Sequence, residues 1–271
     1  MKIIVYGLGI IGASVCASLR RAGHTVLAKN RSREPVEYAL AHGFIDGETA
    51  GFEGAEVVVL ALPPRVVMQV LEEEDFPADC IVADICGVKS EIERVVYTKP
   101  RAYRYVGMHP MAGKETTGIR SASVTLFDGK NLILTKSEKT DEAALATVRR
   151  LGEEMGFSNI VVCSAEKHDG MIALTSQLAH VVSNAYVKSP LTGGCEGFTG
   201  GSFQDMTRIA PLDENVWTEL FFLNRENLRG ELTRLICALN KYLAALEAGD
   251  EAAMRALLAE GKSFYREFSA K

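Results

Sequence analysis

Lys2-Ile3-Ile4-Val5-Tyr6-Gly7-Leu8-Gly9-Ile10-Ile11-Gly12 decides the fold of this chain. An apolar run that reads as a buried strand leads into glycines spaced G-x-G-x-x-G. Ile11, Val15, Leu19 and Ala22 then recur at helical spacing up to Gly23, a natural helix stop, and Thr25-Val26-Leu27-Ala28 reads as the next strand. A strand before, a helix after and a second strand closing the unit are the context that a dinucleotide-binding loop requires. Gly7 permits the tight turn, Gly9 lets backbone approach a pyrophosphate, and Gly12 lets helix meet strand. The pyrophosphate is expected at the helix N-terminus, beside Ile10, where free N–H groups and the helix dipole favour negative charge. The competing reading is a glycine turn in an unrelated α/β protein.

The alternation continues outward. Pro35 to His42 reads as a helix ended by Gly43. Val57 to Leu62 reads as an apolar strand ended by Pro63-Pro64, and Ile81-Val82-Ala83 as another, ended by Asp84. Leu132-Ile133-Leu134 and Ile160-Val161-Val162 read as late strands flanking a helix over 141–155. Apolar strands alternating with helices predict a Rossmann-type α/β domain over 1–164, with a parallel sheet covered on both faces. Ligands of such sheets bind outside the carboxyl ends of the strands. Gly7, Asn30, Leu62 with Pro63, and Gly87 are therefore expected to line one crevice. An acidic residue at the end of the second strand would accept a bond from the ribose of NAD, but Asn30-Arg31-Ser32 stands there. Asn30 does not repel a 2′-phosphate, Arg31 can pair with it, and Ser32 can donate to it, which favours NADP over NAD. Alternatively, Arg31 is a solvated loop charge.

From about residue 165 the pattern is helical, giving an all-helical domain over 165–271. Met171, Leu174, Leu178, Val181 and Ala185 form one apolar stripe. Leu228, Leu232, Leu235, Leu239, Tyr242 and Leu246 form a second, and Met254, Leu257, Gly261, Phe264 and Phe268 a third. Such stripes need partners, either inside the monomer or on a second copy. Roughly opposite the first stripe lie Ala173, Ser176, Gln177, His180, Ser183 and Asn184, a small polar face suited to a pocket wall. On its own, without those neighbours, His180 reads more readily as a satisfied, half-buried core histidine. Gly193-Gly194 and Gly200-Gly201 bracket a stretch leading to Asp205 and Arg208. Arg208 reads as a carboxylate clamp or as a surface ion pair. His109, in His109-Pro110-Met111-Ala112-Gly113, offers a proton acceptor. With a nicotinamide cofactor, these parts describe oxidation of an alcohol that carries carboxylates.

Bulk properties narrow the class. The chain has 271 residues, 47% of them hydrophobic and 24% charged, with a net charge of −5, as in a globular protein of two domains. The charge argues against nucleic acid or an anionic membrane as main partner and leaves a small anionic substrate open. Cysteines 16, 80, 86, 163, 195 and 237 contain no Cys-x-x-Cys pair, which argues against a metal site and for free thiols in a reducing cytoplasm. Met1 leads straight into a strand, so no secretory signal is expected, and no apolar run reaches membrane-spanning length. The chain runs to Lys271, just past Phe268, so no appended regulatory domain is expected.

The residues together resemble the prephenate dehydrogenase family, which includes arogenate and cyclohexadienyl dehydrogenases. The likeness runs from Gly7-Leu8-Gly9-Ile10-Ile11-Gly12-Ala13-Ser14 to Trp217. It passes through Asp84-Ile85-Cys86-Gly87-Val88-Lys89, Met108-His109-Pro110-Met111-Ala112-Gly113-Lys114-Glu115 and His168-Asp169. Ser176-Gln177-Leu178-Ala179-His180 and Asp205-Met206-Thr207-Arg208-Ile209-Ala210 follow. The resemblance implies oxidative decarboxylation of prephenate to 4-hydroxyphenylpyruvate, with NAD or NADP as hydride acceptor. It implies His109 as the catalytic histidine and a substrate site of His180, Arg208 and Trp217, with Gln177 on the same polar face. It also implies a helical domain that builds a homodimer. One position departs from the family: many members carry serine where this chain has Gly87. Arogenate is the alternative substrate. More distant alternatives are a dehydrogenase for β-hydroxy acids or pyrroline carboxylates, against which the His109–Gly113 segment speaks, and a cofactor sensor without turnover.

Overall fold

The computed structural model describes residues 1–113, 116 and 118–270. Its first half comprises β1 (Lys2–Tyr6), α1 (Ile10–Arg21), β2 (Thr25–Lys29), α2 (Arg33–Ala41), β3 (Gly47–Glu48), β4 (Val57–Leu60), α3 (Pro64–Glu73), β5 (Ile81–Asp84), α4 (Ser90–Val96), β6 (Arg104–Met111), β7 (Asn131–Thr135), α5 (Glu142–Glu154) and β8 (Asn159–Cys163). Among the described residues these strands form one eight-stranded sheet in the order β3-β2-β1-β4-β5-β6-β7-β8. Strands β2 and β3 extend it to one side of β1, and β4 onward to the other, so a crevice opens between β1 and β4 at the carboxyl ends. Side chains alternate across a strand. Ile3, Val5, Val57 and Val59 pack in one apolar layer with α1 and α5. Ile4, Val58, Leu60 and Val82 pack in the other with α3 and α4. Both faces are covered there, which is why these strands read as unbroken apolar runs.

The sheet is not wholly parallel. β6 and β7 pair antiparallel, with His109 opposite Ile133, while β7 and β8 are again parallel. Nor is it covered throughout: Val161 and Val162 on β8 are 43% and 36% exposed. β6 has no apolar run to announce it, because Gly107, His109 and Pro110 interrupt it. The proline is tolerated for a geometric reason. Pairing of β5 with β6 stops at Asp84 opposite Gly107, so β6 beyond Gly107 has β7 alone as a sheet neighbour. His109 therefore projects past the carboxyl edge of β5.

The second half is helical: α6 (Ala165–Ile172), a π-helical turn (Ala173–Leu178), α7 (Ala179–Tyr186), α8 (Gly201–Thr207), α9 (Glu214–Leu223), α10 (Arg225–Glu247) and α11 (Glu251–Ser269). The Ser164 side chain caps α6 by accepting from the Lys167 N–H, and Asp213 and Asp250 cap α9 and α11 in the same way. Along 165–186 the polar stripe is turned inward: Ala173, Gln177 and Ser183 are buried, whereas Met171 and Leu174 are 51% and 48% exposed. The stripes on α10 and α11 also end in the open, with Leu246 69% and Phe268 77% exposed. Among the described residues no helix is long and apolar enough to cross a membrane.

Candidate active site

The glycine loop is built by close approach. Gly7 has φ +105, and a Cβ on it would stand 2.2 Å from the Ala61 carbonyl oxygen. A Cβ on Gly12 would stand 2.0 Å from the Gly7 carbonyl oxygen, so helix and turn touch through backbone. At Gly9 a Cβ would meet nothing within 4 Å. The protein itself thus demands glycine at 7 and 12, while the bare backbone at Gly9 borders open space. Gly9 is the N-cap of α1 and no side chain caps that helix, which leaves first-turn N–H groups for a phosphate. A dinucleotide fits this cradle. Asn30 shapes it from β2: its Oδ1 accepts from the Leu8 N–H at 2.9 Å and its Nδ2 donates to the Ser32 carbonyl at 2.8 Å. Arg31 and Ser32 are exposed beside it. Leu62 and Pro63 follow β4 as the next wall, with Pro63 as the N-cap of α3.

At β6, the Nδ1 of His109 lies 2.8 Å from the Nε2 of His168, and the Nδ1 of His168 lies 2.7 Å from Oδ1 of Asp169. Asp169 also accepts from the backbone N–H groups of Lys89 and Ser90, each at 2.9 Å. Burial holds the His109 imidazole well below its ordinary range, aided by the His168 ring and the Lys89 charge and opposed by Asp169. Burial likewise lowers His168 against the pull of Asp169. For Asp169 burial pushes upward, but the bonds from His168 and Ser90 outweigh it and hold the carboxyl below its usual range. Both rings are thus neutral at neutral pH, and the carboxylate is ionised. The other edge of His109 faces Gly87, where a Cβ would stand 3.7 Å from Nε2 and 3.6 Å from Leu220 on α9. Residue 87 therefore has room for a small side chain. Beneath lies a fully buried pair, Lys89 with Asp84 at 2.5 Å, and Tyr105 donates its hydroxyl to the same carboxylate.

The helical half supplies the facing wall. The His180 and Trp217 rings lie tilted by 32° with centroids 3.9 Å apart, and the His180 Nδ1 donates to the Ser176 carbonyl at 2.8 Å, leaving Nε2 as its other nitrogen. Arg208 follows α8 as its C-cap. Ser183 donates to the Met206 carbonyl and Asn184 to the Ala210 carbonyl, which strap the Arg208 segment to α7, the helix of His180. α9 is tied to the nucleotide-binding half where Glu219 accepts from the Arg65 N–H at 2.6 Å. Gln177 does not join the pocket. It is 1% exposed, its Nε2 donates to the Leu220 carbonyl and its Oε1 accepts from Asn224. That makes it a brace for α9 rather than a substrate contact. Lys114 and Glu115 lie outside the described residues.

Sequence reading gave no role to His168, Asp169, Lys89 or Leu220. A signal existed for two of them, since His168-Asp169 is a polar pair that begins four residues past a capping serine. That it would meet a histidine from β6 is a matter of packing. Among the described residues no group of three or more His, Cys, Asp or Glu could hold a metal ion.

Two family models match the chain. "Prephenate dehydrogenase, nucleotide-binding domain" matches residues 15–161, and "Prephenate dehydrogenase, dimerization domain" matches residues 164–260. The chain is 27% identical over 266 residues to a prephenate dehydrogenase of Bacillus subtilis, covering 92% of this chain and 71% of the relative. It is 29% identical over 265 residues to a cyclohexadienyl dehydrogenase of Zymomonas mobilis, covering 92% of this chain and 89% of that one. A solved prephenate dehydrogenase from A. aeolicus, in complex with hydroxyphenyl propionate and NAD+, superposes with TM-score 0.84 at 28% identity, over 99% of this chain and 98% of that one.

Proposed function

This chain belongs to the prephenate dehydrogenase family, and from that premise we propose that it oxidatively decarboxylates prephenate to 4-hydroxyphenylpyruvate. Residues 1–164 hold the nucleotide through Gly7, Gly9, Ile10, Gly12, Asn30, Arg31, Ser32, Leu62 and Pro63. Residues 165–271 hold the substrate and pair two copies into a homodimer. The observation that carries the reading is the edge of a neutral His109 facing Gly87 and α9, at the carboxyl end of the sheet that carries the glycine loop.

When bound, the dinucleotide supplies the hydride acceptor. The protein's part is to place substrate and to hold a proton. His109 Nε2 accepts the proton of the ring hydroxyl as its carbon loses hydride. The C–CO₂ bond then breaks, its electrons enter the ring, and the ring becomes aromatic. The phenolic oxygen takes the proton back from Nε2, so no proton is released overall. Arg208 binds a substrate carboxylate through its guanidinium, and His180 and Trp217 contact the side chain. The A. aeolicus relative's ligand, hydroxyphenyl propionate, has the phenol ring and three-carbon acid of the expected product. Asn30-Arg31-Ser32, with no acidic side chain, favours NADP over NAD.

The test is the near-ultraviolet absorbance of reduced nicotinamide, measured with prephenate or arogenate and with NADP or NAD. Signal with prephenate supports the reading, and faster turnover with NADP supports the role of Arg31. Signal with arogenate alone reassigns the substrate, and faster turnover with NAD removes the NADP preference. Silence in every combination, from folded protein that binds cofactor, overturns the function.

A further inference from the structure

We propose that His168 and Asp169 are positioning residues for His109: they fix which of its nitrogens is bare, and they hold the charge it gains on taking a proton. The proposal rests on the reading of His109 as proton acceptor.

Donor and acceptor rules determine the chain of bonds. An ionised carboxylate only accepts. Asp169 Oδ1 lies 2.7 Å from His168 Nδ1, so that nitrogen carries the hydrogen. A neutral imidazole has one N–H, so His168 Nε2 is bare and accepts. His109 Nδ1, 2.8 Å away, must therefore donate to it. His109 Nε2 is then the unprotonated nitrogen, and it is on the ring edge that faces Gly87. The origin of this order is backbone: the N–H groups of Lys89 and Ser90, where α4 begins, lock the Asp169 carboxylate in place.

The same arrangement suits the protonated state. When Nε2 gains a proton, Nδ1–H still donates to His168, so no bond in the chain is remade. The three groups pass from a net charge of −1 to 0, whereas an isolated histidine would pass from 0 to +1. In a partly buried site the first change carries the smaller desolvation cost. The other charge acting on His109 is Lys89, whose ammonium is paired with Asp84 in the layer beneath.

The first experiment needs no activity. Nitrogen-15 NMR of the histidine rings in the full-length protein should show His109 protonated at Nδ1 and bare at Nε2, and His168 in the same tautomer. The opposite tautomer at His109 overturns the proposal and the choice of Nε2 as proton acceptor, whereas the reaction itself stands or falls separately on the nicotinamide assay. The second experiment is kinetic. Gln at 168 can accept from His109 and donate to Asp169, whereas Leu can do neither. His168→Leu should lower kcat by ~10²-fold or more with KM within about threefold. His168→Gln should recover at least about a tenth of the parent kcat. Asp169→Asn should lower kcat and move the acid limb of kcat/KM to lower pH, because it removes the charge that supports protonated His109. A folded His168→Leu protein with parental kcat and pH profile overturns the proposal. Should that variant not fold, the tautomer measurement on the parent protein still decides.

Discussion

In the proposed reaction His109 acts through one nitrogen. His109→Gln is expected to lower kcat by about 10²- to 10⁴-fold, the usual range for a lost general base, with KM nearly unchanged. Steady-state kinetics of the variant checks this, and normal turnover removes His109 from its role. Gly87 faces that nitrogen. A Cβ there would make only ordinary contacts, the nearest at 3.6 Å to Leu220. Gly87→Ser should thus fold like the parent, with Tm within a few degrees, and should turn over. Gly87→Leu should overlap Leu220 and the His109 ring and abolish turnover. A circular-dichroism melt beside the nicotinamide assay compares the pair. Failure of the serine variant to fold would show that the gap is needed for packing.

α9 links the two halves at the level of elements. It carries Trp217 and Leu220, rests on α3 through Glu219, and is capped where Asp213 accepts from the Asn215 and Val216 N–H groups at 3.0 Å. Asp213→Ala removes that cap, which costs about 1 kcal/mol. Because α9 carries the proposed substrate wall rather than the proton acceptor, the expected result is a several-fold higher KM with kcat largely kept. Unchanged KM together with a lowered Tm would place α9 outside substrate binding. β6 was the element least legible in the sequence, because its role as a local edge past Gly107 admits glycine, histidine and proline where a central strand would show valine and isoleucine. β1, β4 and β5 were legible because both their faces are covered.

The whole molecule leaves apolar side chains uncovered. Leu239, Leu246, Phe264 and Phe268 are 55%, 69%, 66% and 77% exposed along α10 and α11. Fully burying each side chain stabilises by about 1.5–3 kcal/mol, enough collectively to favour association. Light scattering is expected to give twice the chain mass, and Leu246→Glu with Phe264→Glu to shift it toward one. A monomeric parent contradicts the homodimer. Stability should also depend on pH. The folded His109 and His168 rings titrate below the unfolded value of about 6.5, so the unfolded chain binds more protons in that window. Stability falls as pH drops below about 6.5, and Asp169 adds the same sign in the carboxylate range. Glu93 opposes this, since burial raises its carboxyl above the usual value and so favours the folded state as pH falls, but it is one group against two imidazoles. Tm should be lower by several degrees at about pH 5.5 than at about pH 7.5. A flat profile would mean that the rings gain their protons without cost.

The sequence by itself determined the nucleotide-binding fold, its glycine loop and the helical character of the second half. Those properties are written in local patterns: a period of two or of 3.6, and glycines at positions where a Cβ would strike backbone. It also named His109, His180 and Arg208 as candidates from their motifs, and Trp217 through the family resemblance. Only the tertiary structure decided that β6 runs past β5 and that β7 pairs antiparallel to it, that Gln177 braces α9, and that His168 and Asp169 stand behind His109. Each of these depends on residues distant in sequence meeting in space. Whether a buried polar group supports or contacts depends on the partner it finds, and a pattern along one chain carries no record of that partner.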